Sequence, residues 1–117
     1  LGHRIGVTIC EDIWTDPTTL PYTRYEKHPL SALKEERPDI LLNLSASPYS
    51  FRRKEMRQIV CSSAAKMLGC PVLLCNQVGA NDQLIFDGHS LYVNEKGELL
   101  QTASGFEEDE MVIELNA

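Results

Sequence analysis

The sequence predicts an α/β fold, a mixed sheet with helices on one face, and three observations carry that expectation. Short apolar runs of strand length recur at Ile5–Cys10, Asp39–Leu44 and Val72–Asn76. Between the last two lies a segment, Arg53 to Leu68, in which Met56, Ile59, Val60, Ala64, Met67 and Leu68 recur at the helical period. Beyond residue 76 the chain changes to short strand-and-turn patterns, with a hairpin signal at Asn94-Glu95-Lys96-Gly97. The order βαβαβ followed by hairpin strands argues for parallel strands first and antiparallel strands at the sheet's edge.

Taken in order, Ile5 to Cys10 is the first strand, rich in β-branched residues. Thr15 to His28 carries Pro17, Pro21, Tyr22 and Tyr25 and reads as a long irregular loop, a place where function often sits. Pro29 suits the first turn of a helix running to about Arg37, which Pro38 stops. Asp39 to Leu44 is near-continuously apolar, as in a strand covered on both faces. Ser45 to Ser50 is a loop by composition, and the helix that follows ends at Gly69 as C-cap. Val72 to Asn76 is a third strand, Gly79-Ala80-Asn81-Asp82 a turn, and Ser90 to Val93 a fourth strand. Leu99 to Ala103 pairs back on it, and Met111 to Leu115 is a last strand after the solvated acidic run Glu107 to Glu110.

A length of 117 residues supports one domain with a modest core. The net charge of -6 and the lack of a basic stripe argue against a nucleic-acid partner. No apolar run reaches the length of a membrane span. The four cysteines show no C-x-x-C spacing and no secretory signal is visible, which points to a reducing compartment, the cytoplasm. Cys61, Cys70 and Cys75 read as packing residues, and His3, His28 and His89 lack the spacing of metal ligands. The chain opens on Leu1 with a strand close behind, so a piece of a longer protein is expected.

Three strand ends carry polar residues: Cys10-Glu11-Asp12, Asn43 through Ser47, and Asn76-Gln77. Sites in parallel α/β sheets gather at the carboxyl ends of strands, so the three clusters should share one rim. A cysteine at such a position is a candidate nucleophile, although cysteine also serves as a small buried apolar residue. Trp14 reads as an anchor for its loop, Asn76 and Gln77 as caps on strand-end backbone, and Asp87 as a turn residue. On their own, Arg52, Arg53 and Lys54 read as a solvated helix start.

The runs Ile9-Cys10-Glu11-Asp12-Ile13-Trp14, Asn43-Leu44-Ser45-Ala46-Ser47-Pro48-Tyr49, Asn76-Gln77-Val78-Gly79 and Phe86-Asp87-Gly88-His89-Ser90 together resemble the nitrilase (carbon–nitrogen hydrolase) superfamily. Within it they are most similar to the glutaminase domains of glutamine-dependent NAD+ synthetases. The resemblance implies a partial αββα sandwich, with residues 1–117 forming the C-terminal part of that domain. It implies a Glu-Lys-Cys triad in which Cys10 is the nucleophile attacking the side-chain amide of glutamine. The backbone N–H of Glu11 is then an oxyanion donor, and Ser47 and Arg53 are glutamine contacts. The Glu and Lys belong upstream, so this segment alone is expected to be inactive. No cofactor is implied for the segment itself. ATP, Mg and deamido-NAD belong to a downstream synthetase domain, and a homo-oligomer is implied. Two alternatives stay open on the residues alone: a stand-alone amidase acting on another amide or carbamoyl compound, and a non-catalytic half domain.

Overall fold

The computed structural model describes residues 2–14 and 29–115. The loop expected over 15–28, with Tyr22, Tyr25 and Lys27, lies outside the described residues. A five-stranded mixed sheet carries helices α1 (Pro29–Glu36) and α2 (Arg53–Leu68) on one face. Its strands are β1 (Ile5–Ile9), β2 (Ile40–Ser45), β3 (Val72–Asn76), β6 (Leu91–Val93) and β7 (Leu99–Thr102), in the order β1-β2-β3-β6-β7. β1, β2 and β3 run parallel, while β6 and β7 are antiparallel. This is the expected arrangement, and its cause is in the connections. Each parallel step has a helix-length crossover, whereas β6 and β7 are joined by the short turn at Asn94–Gly97.

Leu41, Val72, Leu74, Leu91 and Val93 point at the helices and pack against Leu30, Val60, Cys61 and Ala64 in one apolar cluster. Each large aliphatic side chain buried there stabilises the layer by roughly 1.5–3 kcal/mol. α2 stops at Gly69, whose φ of 70° is the left-handed conformation that glycine adopts without strain, and whose N–H donates to Ala65 O at 2.8 Å. Strand alternation sends Ile5, Val7, Ile9 and Leu44 to the opposite face, where each is more than half exposed. Cys75 shares that parity and is exposed too, which corrects its reading as a packing residue; Cys61 and Cys70 are buried.

Three further expectations change. The segment read as a turn at Gly79–Asp82 is mostly strand: β4 (Val78–Asn81) pairs with β5 (Leu84–Asp87) in a separate ribbon. The turn itself is confined to the connection, where Asp82 takes a φ of 53°. Met111 to Leu115 forms no strand among the described residues, and Val112 is 84% exposed. Ile59 lies on the solvent side of α2, 52% exposed, not on its apolar face. Among the described residues no helix is long and apolar enough to cross a membrane.

Candidate active site

β1 ends at Ile9, and Cys10 opens a single 3-10 turn, Cys10–Ile13, with a φ of 49°. A left-handed φ at a residue with a Cβ costs roughly 1–2 kcal/mol, so surrounding contacts must hold it. Asp12 Oδ2 accepts the Ile9 N–H at 3.0 Å, and Glu11 O accepts the Trp14 N–H at 2.8 Å. From the neighbouring strand, the fully buried Asn43 donates through Nδ2 to Cys10 O at 3.3 Å and to Thr8 Oγ1 at 2.9 Å. Ser45 Oγ donates in turn to Asn43 Oδ1. The end of β1 is therefore fixed by a polar side chain of β2.

The three polar strand ends do share a rim. Cys10, Ser45, Ala46, Asn76 and Gln77 line one open depression of about 460 Å³, together with Ile9, Leu44 and Cys75. A second depression, about 500 Å³, adjoins it at Cys75 and Asn76 and is walled by Glu107 through Glu110. Ser47 and Arg53 lie outside the depression that holds Cys10.

Ser47 is 7% exposed and held from two sides. Asn76 Oδ1 accepts its N–H at 2.8 Å, while Asn76 Nδ2 donates to Ser47 O at 3.2 Å and Gly88 O at 2.9 Å, the capping role expected of Asn76. The backbone of Gln77 donates to Ser45 O and accepts from Gly88. On the other side stands Arg57, a residue of α2 with no exposed surface. Its Nε donates to Ser47 Oγ at 3.2 Å, and its Nη2 to Ser47 O at 3.0 Å and Pro48 O at 3.2 Å.

The guanidinium's charge is met by Asp87, 1% exposed, through two hydrogen bonds of 2.7 Å. His89 Nδ1 lies 2.7 Å from the same carboxylate. Burial opposes ionisation of Asp87, but the hydrogen bonds from Arg57 and His89 outweigh it and hold the carboxyl down at about 2. Asp87 is thus not the turn residue the sequence suggested; it is the buried counter-ion of Arg57. Nearby in α2, burial pushes the Cys61 thiol up to about 12 despite the Arg57 charge, which keeps that sulfur a neutral packing group.

Arg57 escaped the sequence reading because an arginine on a helix normally belongs to its polar side. A signal existed: Arg57 lies one helical turn before Val60 and Cys61, in line with the buried stripe. Arg53, one turn earlier, is partly exposed. Its guanidinium stands 5.3 Å from the Trp14 ring centroid, and Nε donates to Ser50 Oγ at 3.4 Å. Trp14 packs on the core as expected of an anchor and brings Arg53 to the turn that begins at Cys10. Arg52 and Lys54 are exposed. Among the described residues no group of three or more His, Cys, Asp or Glu is placed to hold a metal ion.

Cys10 thus sits on a strand-to-turn bend and lines a depression with the carboxyl ends of the parallel strands β2 and β3. The carbon–nitrogen hydrolase family model matches residues 1–117, and the chain belongs to that family. Among curated relatives, the glutamine-dependent NAD(+) synthetase of Synechocystis is 42% identical over 106 residues, covering 91% of this chain and 19% of that protein. The glutamine-dependent NAD(+) synthetase of Thermotoga maritima is 35% identical over 114 residues, covering 97% of this chain and 18% of the relative. The solved structure of the glutamine-dependent NAD+ synthetase from Acinetobacter baumannii with ADP superposes with a TM-score of 0.78. It shares 38% identity, covering 93% of this chain and 19% of that one. A carbon-nitrogen hydrolase from Helicobacter pylori, 22% identical, covers 91% of this chain and 38% of its own, and shares the fold with a TM-score of 0.72. The chain thus spans about a fifth of the length of the synthetases it matches.

Proposed function

We propose that this chain carries the nucleophile of a glutamine amidohydrolase that supplies ammonia for the ATP-dependent amidation of deamido-NAD to NAD+. The observation that carries the reading is Cys10, held with a positive φ at the end of β1 in the depression where the β2 and β3 ends meet. Its relationship to glutamine-dependent synthetases supports glutamine as the amide.

In this reading the Cys10 sulfur attacks the side-chain carbonyl carbon of glutamine and a C–S bond forms. The tetrahedral oxyanion takes a hydrogen bond from the Glu11 backbone N–H. The C–N bond then breaks, the nitrogen takes the proton that the thiol gave up, and ammonia leaves. Water adds to the γ-glutamyl thioester, the C–S bond breaks, and glutamate and the free thiol are released. Ser47 and Arg53 hold the glutamine; the fork of Arg53, steadied on Trp14, suits a carboxylate.

The family's Glu and Lys, the base and the second oxyanion group, belong to an upstream half of the domain. That half also supplies the second sheet of an αββα sandwich, covering Ile5, Val7, Ile9 and Leu44. Residues 1–117 by themselves are inactive on this reading. ATP, with its Mg, acts in the synthetase domain downstream, the parent protein works as a homo-oligomer, and four free thiols suit the cytoplasm.

The test treats the full-length parent protein with a glutamine-like electrophile and locates the modified cysteine by mass spectrometry. Labelling at Cys10 alone, blocked by glutamine and accompanied by loss of glutaminase activity, is the expected result. Labelling spread over Cys61, Cys70 and Cys75, or indifferent to glutamine, overturns the reading.

A further inference from the structure

Arg57 makes more contacts than a structural ion pair requires. Besides its two bonds to Asp87, the guanidinium donates to both carbonyls of the Ser47–Pro48 segment and to the Ser47 hydroxyl. Asn76 grips the same residue through its amide N–H and carbonyl. With these contacts Ser47 is tied at every backbone polar atom, although it lies in a loop by composition. Arginine has no acceptor, so towards Arg57 the Ser47 oxygen can only accept. Its own proton is thereby turned away from the guanidinium and offered to an acceptor on the other side. A seryl hydroxyl held in this way has its proton to offer to a ligand oxygen, of a carboxylate or a carbonyl.

We infer that Arg57 is a positioning residue for glutamine. Braced by Asp87, it fixes the Ser47–Pro48 segment and sets the Ser47 hydroxyl as a hydrogen-bond donor to a substrate oxygen. The inference rests on the reading of Ser47 as a glutamine contact. His89 and Asp87 complete the brace: His89 contacts the carboxylate at 2.7 Å, and its ring meets Phe106 edge-on at a centroid distance of 5.6 Å.

The experiment measures glutaminase kinetics of the full-length protein with Ser47→Ala, Arg57→Lys and the double variant. Lysine keeps the charge but lacks the fork that reaches both Asp87 and Ser47. The expected result for Arg57→Lys is a rise in KM for glutamine of about tenfold with kcat within about twofold, since only binding is disturbed. In the Ser47→Ala background the same change should add less than about twofold. Asp87→Glu, which keeps the ion pair but displaces the guanidinium, should reproduce the KM effect, and it serves if Arg57→Lys does not fold. If Ser47→Ala leaves KM unchanged, the reading of Ser47 fails and the inference falls with it. If Ser47→Ala raises KM while Arg57→Lys and Asp87→Glu do not, or do so additively, the inference alone is overturned. Loss of folded protein in both Arg57→Lys and Asp87→Glu reduces the pair to a stabilising role and overturns it as well.

Discussion

Replacing Asp87 by Asn keeps the side chain's shape and removes the anion that faces Arg57. With Arg57 fully buried and Asp87 1% exposed, water cannot take over as partner. Leaving one charge of a buried pair uncompensated costs roughly 3–5 kcal/mol, a large share of the ~5–15 kcal/mol that stabilises a domain. The effect carries a pH signature. The carboxyl is held at about 2, below its ordinary 3.8, so the fold favours the ionised form. Its stabilisation is therefore complete above pH 3.8 and is lost as pH falls towards 2. The displacement corresponds to roughly 2 kcal/mol.

The assay is native-state hydrogen exchange at the α2 amides in full-length protein, wild type against Asp87→Asn, over a pH series. The gap between the two should narrow by roughly 2 kcal/mol as pH falls from about 4 to about 2. A gap that stays constant over that range would refute the assignment of Asp87 as the ionised partner of Arg57.

Other outcomes follow from single contacts. A Cβ at Gly105 would lie 2.0 Å from His89 Nε2, so Gly105→Ala should push the ring off Asp87. A cost of roughly 1–3 kcal/mol is expected, read as a lower thermal midpoint. Burial holds the thiol of Cys61 at about 12 and that of Cys70 at about 11, the latter also raised by Asp39. A maleimide near neutral pH should leave both unmodified in native protein and reach them only after denaturant is added; native labelling at either site counts against the described core.

Much of the architecture was legible from the chain because local pattern and tertiary need agreed. The apolar runs of β2 and β3, the period of α2 and the stop at Gly69 each had one reading. The β4–β5 ribbon was hidden because Gly79, Asn81 and Asp82 carry turn chemistry, and the ribbon's pairing is decided between residues, not within them. Met111–Leu115 failed the other way: an apolar pattern without a ladder partner among the described residues does not make a strand. In the candidate site, Cys10 was visible from its place at a strand end. Arg57 and Asp87 were not, because each residue type alone belongs on the surface. Only their meeting across 30 positions makes burial affordable.

The left-handed backbone at Cys10 also acts as a chemical filter. A β-branched side chain fits that conformation poorly, so threonine is a poor replacement there, while cysteine and serine can be seated. Glycine would sit there with the least strain and with no chemistry at all. At this one position the most comfortable residue and the useful residue are different ones. The hydrogen bond that Asn43 donates to Cys10 O and the one that Asp12 accepts from the Ile9 N–H are what allow the strand to end on a thiol.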